Sequence, residues 1–282
     1  GPRGTGKTTW LRDNFASATW VNLLTNQDFL PLLNNPGLLA ERVLAKNEGW
    51  VVIDEVQKIP GLLNEVHNLI SIHNQRYKFA MSGSSARKLR RMEANLLAGR
   101  ALDRKFFPLA YPEIKAEFNL ERILRVGTLP SVFASEEYSS DLLESYVSTY
   151  LREEIQQEAL VKNLESFARF LKVAGILSGS VIDHTHVARE CSVNRKSVER
   201  YFDTLVDTLV AFRLPAFQPR LKVKERVRPK FYLFDCGVVR TLTGRTRQEV
   251  LEFERGNLLE TYLMHEFRTA QSYLNTGGEM SY

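Results

Sequence analysis

The feature that most constrains the fold is a glycine-rich octapeptide at the start of the chain. Residues 1–8 read Gly-Pro-Arg-Gly-Thr-Gly-Lys-Thr and fill every fixed position of the pattern G-x-x-x-x-G-K-[ST]. Glycines let backbone N–H groups turn inward around an anion, and the N-terminus of a following helix adds its dipole. The pattern predicts a phosphate-binding loop between a buried strand and a helix. The alternative is a chance glycine-rich turn.

Within this loop, each residue type suits nucleoside triphosphate chemistry. We expect Lys7 to reach the β- and γ-phosphates and assist catalysis, and the Thr8 hydroxyl to coordinate Mg²⁺. The strand that normally precedes such a loop is missing from the sequence, and there is no initiator Met, so we expect a fragment at this end. The residues predicted to line the phosphate cradle are Gly1, Pro2, Arg3, Gly4, Thr5, Gly6, Lys7, Thr8 and Thr9.

A second motif supports the first. Residues 50–53 form a continuous apolar run that ends in Asp54 and Glu55, which is typical of a strand buried on both faces. A triphosphate site needs a carboxylate to hold the metal opposite the loop hydroxyl, and Asp54 is predicted to supply it. Glu55 is then the candidate general base that polarises the attacking water. The alternative is that two acids merely end a strand.

Two further catalytic candidates follow along the chain. In P-loop ATPases with an extra strand beside the loop strand, a polar residue after that strand contacts the γ-phosphate or its water. Ser82 fits this place, with Ser84 as a weaker candidate, although a helix N-cap is an alternative and compatible role. Arg100 is a candidate arginine finger or sensor, and its alternative is an ordinary solvated arginine.

The order of predicted elements indicates an α/β core followed by a helical region. Strands and helices alternate up to about residue 112, which favours a parallel sheet with helical crossovers. The predicted strands are 19–24, 50–53, 77–81 and 104–109, and the predicted helices are 10–15, two within 26–45, 66–72 and 86–97. Helical periodicity dominates from 113 to 210, followed by a strand at 230–234 and a helix at 251–270.

A compact helix-turn-helix signature lies inside the helical region. A helix around 186–190, a turn at 191–194 and a long helix from Arg195 predict a winged helix-turn-helix, with Arg195, Lys196 and Arg200 where a recognition helix meets the major groove of duplex DNA. Glu225 interrupts the basic run after it, and such modules also bind proteins. Alternate basic residues in the predicted wing would share one face of a strand: Arg220, Lys222, Lys224, Arg226, Arg228 and Lys230.

Segments along nearly the whole chain resemble one family. Besides the two nucleotide motifs, which include residues 51–57, they are 81–85, 97–101, 107–109, 127–130, 146–151, 187–205 and 231–237. Together they resemble the prokaryotic AAA-type P-loop ATPases that carry a C-terminal domain of unknown function, of the DUF4143 type. The preference for ATP over other nucleotides follows from this resemblance.

The resemblance implies three domains. These are an AAA-like α/β P-loop core with a parallel sheet at 1–112, a helical and winged-helix domain at 113–215, and the truncated start of a restriction-endonuclease-like domain with the basic wing at 216–282. A nuclease site needs acids and a lysine from later strands, which are absent from the sequence.

Composition restricts the remaining choices. Two cysteines, Cys191 and Cys236, in 282 residues favour buried packing in a reducing compartment, so we expect a cytoplasmic protein. His184 and His186 lack a nearby Cys pair, which disfavours metal binding there. We predict an ATPase that couples Mg-ATP to a winged helix contacting DNA, a protein partner or a second copy. The alternatives are a nucleotide-controlled switch or scaffold with little turnover, and a DNA-binding regulator.

Overall fold

The computed structural model describes residues 1–46, 49–73, 76–83, 101–151, 163–217 and 228–282. These divide into two compact units, Gly1–Phe106 (unit 1) and Phe107–Tyr282 (unit 2). Several predictions lie outside the described residues: the helix at 86–97, the roles of Ser84 and Arg100, and the wing residues Arg220, Lys222, Lys224 and Arg226.

Unit 1 is built on three parallel strands in the order β1-β2-β3. The strands are β1 (Thr19–Asn22), β2 (Gly49–Asp54) and β3 (Tyr77–Met81). The helices are α1 (Lys7–Asn14), α2 (Asn26–Asn34), α3 (Leu38–Leu44) and α4 (Leu62–Ile72), and a short 3-10 helix spans Val56–Lys58. Each helical crossover carries the chain from the carboxyl end of one strand back to the level of its amino end. The next strand therefore runs in the same direction, and the sheet is parallel.

The core of unit 1 fixes the register of the sheet. Val21 pairs with Ile53, and both side chains are fully buried beside Leu62 and Val66 of α4. A shift of one residue would move these side chains to the opposite face of the sheet, so burial specifies the pairing. The carboxyl ends of β1 and β2 consequently meet at one edge, and Asp54 is the last residue of β2.

Unit 2 combines helices with a small antiparallel sheet. Its helices are α5 (Tyr111–Ile114), α6 (Leu120–Val126), α7 (Pro130–Phe133), α8 (Ser139–Ser145), α9 (Leu164–Ile176), α10 (His184–Glu190), α11 (Arg195–Asp207), α12 (Cys236–Leu242) and α13 (Glu252–Leu274). The strands β4 (Ser180–Val181), β5 (Ala211–Leu214) and β6 (Lys230–Leu233) pair in the order β4-β6-β5. β6 is therefore the central strand.

Aromatic side chains hold this part of unit 2 together. The Phe202 ring of α11 lies 4.8 Å from the Phe170 ring of α9 and 4.8 Å from the Phe231 ring of β6, measured between centroids. Edge-to-face contacts of this kind add to the burial of apolar area. Because α11 turns its aromatic face inward, Arg195, Lys196 and Arg200 are left on its exposed side.

Two family-like segments, 127–130 and 231–237, meet in the interior of unit 2. The Asp235 carboxylate accepts a hydrogen bond from the Thr128 N–H at 2.8 Å and another from Val238 at the start of α12. A Cβ added at Gly237 would lie 2.2 Å from the Val126 carbonyl oxygen. Glycine is therefore required for this close approach, which gives the two segments a packing role.

One prediction about strands is wrong, and another needs a correction at a single residue. Residues 104–109 form no strand, because Pro108 lacks an N–H for a ladder and the Leu109 N–H bonds instead to the Thr128 carbonyl oxygen at 2.9 Å. The apolar run at 50–53 is not buried throughout, since Trp50 is 42% exposed whereas Val52 is fully buried. The helix predicted at 66–72 begins earlier, at Leu62.

The two cysteines and the start of α10 show how polar and sulfur-containing side chains are placed in unit 2. Cys191 and Cys236 are free and buried, which confirms their predicted packing role. Asp183 caps α10 through the backbone N–H groups of Thr185 and His186, while the His184 ring packs 5.6 Å from the Phe202 ring. In the part of the chain that the structure describes, no helix is both long and apolar enough to cross a membrane.

Candidate active site

The glycine-rich loop of unit 1 has the backbone geometry of an anion cradle. Gly4 and Gly6 have φ angles of 76° and 82°, in the left-handed region that favours glycine. Gly6 immediately precedes α1, so the first unpaired N–H groups of the helix follow the loop without a gap. Such groups, together with the helix dipole, favour a negatively charged ligand.

Side chains of the loop are held by the loop itself. The Lys7 ammonium donates to the carbonyl oxygens of Gly1 at 2.8 Å and Pro2 at 2.5 Å. The buried Thr5 hydroxyl donates to the same Pro2 oxygen at 2.9 Å. These bonds close the turn and keep the positive charge of Lys7 against the loop backbone.

The Asp54 carboxylate contacts two other predicted site residues, Thr8 and Ser82. The Thr8 hydroxyl at the start of α1 donates to Oδ2 of Asp54 at 2.8 Å. The Ser82 hydroxyl, just after β3, donates to Oδ1. Asp54 is fully buried, so its hydrogen-bond partners replace the water that a carboxylate otherwise requires.

Ser82 links the ends of β2 and β3 through three atoms. Its Oγ also accepts from the Glu55 N–H at 3.0 Å, its N–H donates to the Ile53 carbonyl oxygen at 3.0 Å, and its carbonyl oxygen accepts from the Val56 N–H at 3.0 Å. The structure thus places Ser82 against both acids. Its predicted contact with a γ-phosphate stays a prediction.

Glu55 lies directly beside this cluster in an unusual backbone conformation. Its φ of 61° is in the left-handed region, which non-glycine residues seldom adopt outside turns and functional sites. The side chain is 6% exposed, and its Oε2 accepts a hydrogen bond from the Gln57 side-chain amide. No sequence pattern indicates this contact, because Gln57 belongs to the family-like segment 51–57 but to no fixed position of a nucleotide motif.

The oxygen atoms at this edge fit magnesium. Hydroxyl and carboxylate oxygens are the hard ligands that Mg²⁺ prefers, and Mg²⁺ usually takes one or two protein ligands while phosphates and waters fill its remaining positions. Thr8 and Asp54 supply such a pair. No group of three His, Cys, Asp or Glu residues suited to a metal occurs among the described residues, so an all-protein metal cage is absent from that part of the chain.

The candidate DNA-contacting residues of unit 2 are exposed but engaged in local contacts. Arg195 pairs with Glu199 at 2.9 Å along α11, and Arg200 donates to the Ser197 hydroxyl at 3.2 Å. Lys196 is exposed next to them. Exposed pairs of this kind contribute little free energy, so they leave the cations able to exchange partners.

The two described wing residues differ from the predicted comb. Arg228 pairs with Asp183 at 3.2 Å. Lys230 is half-buried, pairs with Glu260 of α13 at 2.8 Å and lies 5.5 Å from the centroid of the Tyr282 ring. Lys230 therefore has an acidic partner within unit 2, and its place on a shared basic face stays a prediction.

Two protein-family models match successive parts of the sequence. Residues 1–115 match the model of a family described as an AAA domain. Residues 117–249 match a domain of unknown function, DUF8612. The chain thus joins a region similar to AAA-type ATPase domains to a C-terminal region similar to a domain without an assigned function. The expected DUF4143 relationship is not shown; DUF8612 is matched instead.

Individual relatives carry no functional description. Uncharacterized proteins of Mycobacterium bovis and Mycobacterium tuberculosis are each 27% identical over 255 residues, covering 89% of this chain and 57% of their own length. An uncharacterized protein of Haemophilus influenzae is 24% identical over 250 residues, covering 82% of this chain and 60% of its own. The chain therefore spans less than two thirds of these relatives. No solved structure matches it.

Proposed function

We propose that the protein binds Mg-ATP at the glycine-rich loop and hydrolyses it. The observation that carries this proposal is the Asp54 carboxylate, which accepts hydrogen bonds from Thr8 on one side and Ser82 on the other. A chance glycine-rich turn has no reason to meet a buried acid from a distant strand. The match of residues 1–115 to AAA domains supports the same assignment.

Each residue of the cluster has a role in this proposal. Residues Gly1 to Thr9 cradle the phosphates, and the Lys7 ammonium leaves its carbonyl partners to contact the β- and γ-oxygens. Thr8 and Asp54 hold Mg²⁺, which neutralises charge on the phosphates when bound. Glu55 accepts the proton of the attacking water, and Ser82 holds both acids in place.

Binding of ATP is tested most directly at Lys7. In the natural full-length protein we expect Lys7→Ala to weaken ATP binding at least about 100-fold, because a charge-assisted contact to phosphate is lost. Arg12→Ala is a matched control, since Arg12 is an exposed cation on the same helix. Equal affinity of the Lys7→Ala protein and the parent, measured by calorimetry, would exclude a phosphate cradle at this loop.

A nucleotide-controlled switch with little turnover is the second candidate. The backbone of Glu55 is in the left-handed region and is held by a hydrogen bond to Ser82, so the position of Glu55 is fixed before any ligand binds. A fixed Glu55 suits either an enzyme that hydrolyses ATP or a switch that responds to ATP binding. Single-turnover and steady-state rates separate the two. An enzyme repeats the reaction, whereas a switch hydrolyses about one equivalent and retains its product.

The helical part of unit 2 is proposed to be a winged helix that contacts duplex DNA. Support comes from the order α9-β4-α10-α11-β5-β6 and from the exposed side chains of Arg195, Lys196 and Arg200 in the first half of α11. Charge supports it too, since residues 163–235 contain 13 Lys and Arg against 8 Asp and Glu, a difference of +5. The ion pairs of Arg195 and Arg228 weigh against it.

Salt dependence tests this part of the proposal. If Lys196 contacts a phosphate, Lys196→Ala should weaken binding to duplexes of any sequence and reduce the slope of log affinity against log salt by about 1. Lys172→Ala on α9 is the control, because Lys172 is also exposed. An unchanged slope in the Lys196→Ala protein would favour a protein partner for α11.

A further inference from the structure

We propose that Gln57 is the positioning residue for Glu55 and that its amide fixes the carboxylate that activates water. The inference rests on the proposed function, since Glu55 has water to activate only if the site hydrolyses ATP. It adds a residue that neither the motif pattern nor the family match assigns.

The first support is the backbone at the end of β2. Glu55 has φ 61° and ψ 46°, so the chain turns sharply directly after Asp54. The Glu55 N–H is bonded to the Ser82 hydroxyl and the Val56 N–H to the Ser82 carbonyl oxygen, each at 3.0 Å. Such a conformation persists only where surrounding contacts enforce it. The backbone that carries Glu55 is therefore fixed to the neighbouring strand.

The second support is the short helix that follows. The 3-10 helix Val56–Lys58 is closed by the Lys58 N–H, which donates to the Glu55 carbonyl oxygen at 3.0 Å. This turn folds the Gln57 side chain back towards Glu55, and its Nε2 donates to Oε2 of Glu55. The backbone of Glu55 and its carboxylate are thus held from two directions, by Ser82 and by Gln57.

The chemistry of an amide suits this role. A general base must aim one oxygen at the proton it accepts, and small errors in aim lower the rate steeply. The long Glu side chain has rotatable bonds that a fixed backbone alone does not restrain. A neutral amide donor restrains the carboxylate without the positive charge of an Arg or Lys, which would pair with it and weaken it as a base.

Substitution of Gln57 tests the inference in the natural full-length protein. Gln57→Leu keeps a similar volume but removes the donor, and we expect kcat for ATP hydrolysis to fall about 10-fold while the KM and Kd for ATP stay within about 2-fold. Gln57→Glu, which places a second carboxylate beside Glu55, should lower kcat further. Gln248→Leu is the control, because the exposed Gln248 lies in unit 2.

A double variant separates positioning from a general structural effect. If Gln57 acts only through the Glu55 carboxylate, adding Gln57→Leu to a Glu55→Gln protein should leave its residual rate unchanged. Unchanged kcat in the Gln57→Leu protein, a raised kcat, or an equal loss of ATP affinity would each overturn the inference. A parent protein that binds or hydrolyses no ATP would overturn the proposed function, and with it the role of Gln57.

Discussion

Units 1 and 2 both contain buried polar groups and surface charge, but they use them differently. In unit 1, the Thr8 hydroxyl of α1 and the Ser82 hydroxyl just after β3 both donate to the carboxylate of Asp54 at the end of β2. In unit 2, charged side chains pair with side chains of opposite charge, as Arg247 does with Glu144 and Asp141. Buried Arg240 likewise meets Glu254 at 3.4 Å beside the Gln248 and Glu249 carbonyl oxygens.

This difference is informative about function. Convergence of distant residues on one point at a sheet edge creates a place where charge can be bound and a reaction assisted. Exposed ion pairs contribute little free energy, and charges that neutralise one another define no ligand. The net charge of +5 therefore says less about activity than the position of one aspartate does.

The contrast between units 1 and 2 is tested most strongly at Asp54, where the largest effect of a substitution is expected. Asp54→Asn keeps the size of the side chain but removes the charge that holds Mg²⁺, so hydrolysis should fall about 1000-fold, equivalent to several kcal/mol of transition-state stabilisation. Rates measured over a range of Mg²⁺ concentrations check this. A variant that retains parental activity at low Mg²⁺ would show that Asp54 only supports the sheet.

In unit 2, the corresponding test concerns stability. Gly237→Ala would place a methyl group 2.2 Å from the Val126 carbonyl oxygen, so we expect a loss of about 3 kcal/mol in the free energy of unfolding. Urea unfolding followed by circular dichroism measures it. Gly256→Ala in α13 is the control, because nothing lies within 4 Å of the added atom, and a gain of up to about 1 kcal/mol is expected. Similar values for both variants would contradict the packing role of residues 231–237.

A smaller effect concerns pH. Burial lowers the pKa of His265 from 6.5 to about 4. Between these values the unfolded state binds a proton that the folded state excludes, so the contribution of His265 is complete above pH 6.5 and is lost as pH falls towards 4. The shift corresponds to about 3 kcal/mol at most.

Replacing this histidine isolates its contribution. His265→Gln can still donate to the Leu109 carbonyl oxygen, which lies 3.1 Å from Nε2 of His265. The variant should lose less stability than the parent between pH 6.5 and 4. Burial raises the pKa of Asp235 to about 6, which acts in the opposite sense, so the difference between variant and parent at each pH is the useful quantity. A difference that does not change with pH would contradict this account.

Sequence alone predicted the parts of the fold that depend on short-range pattern. The loop at residues 1–8, the strand ending at Asp54 and the capped helix beginning at Arg195 were all recognisable, because turn residues and apolar periodicity are local signals. The prediction of a strand at 104–109 was wrong because the apolar residues there pack without pairing to another strand. The pairing order β4-β6-β5 depends on contacts between residues far apart in the chain, which no local pattern records.

Within the candidate site, residue types were easier to predict than contacts. Thr8, Asp54 and Glu55 could be proposed from the sequence because phosphate and metal chemistry would restrict the residues at these places, and the structure brings Thr8 into contact with Asp54. The three-way contacts of Ser82 and the amide of Gln57 were not, since both depend on how β2 and β3 align and how the chain turns after Asp54. The ion pair of Lys230 could not be predicted for a similar reason, because Glu260 is distant from it in sequence.

The central claim is that the acids at the end of β2 hydrolyse ATP rather than only support the sheet. Its most direct test is single-turnover hydrolysis by the natural full-length protein and its Glu55→Gln variant, with ATP affinity measured in parallel. We predict equal affinity and a rate at least about 100-fold lower in the variant, the usual share of a general base. Equal rates in the two proteins would contradict the account.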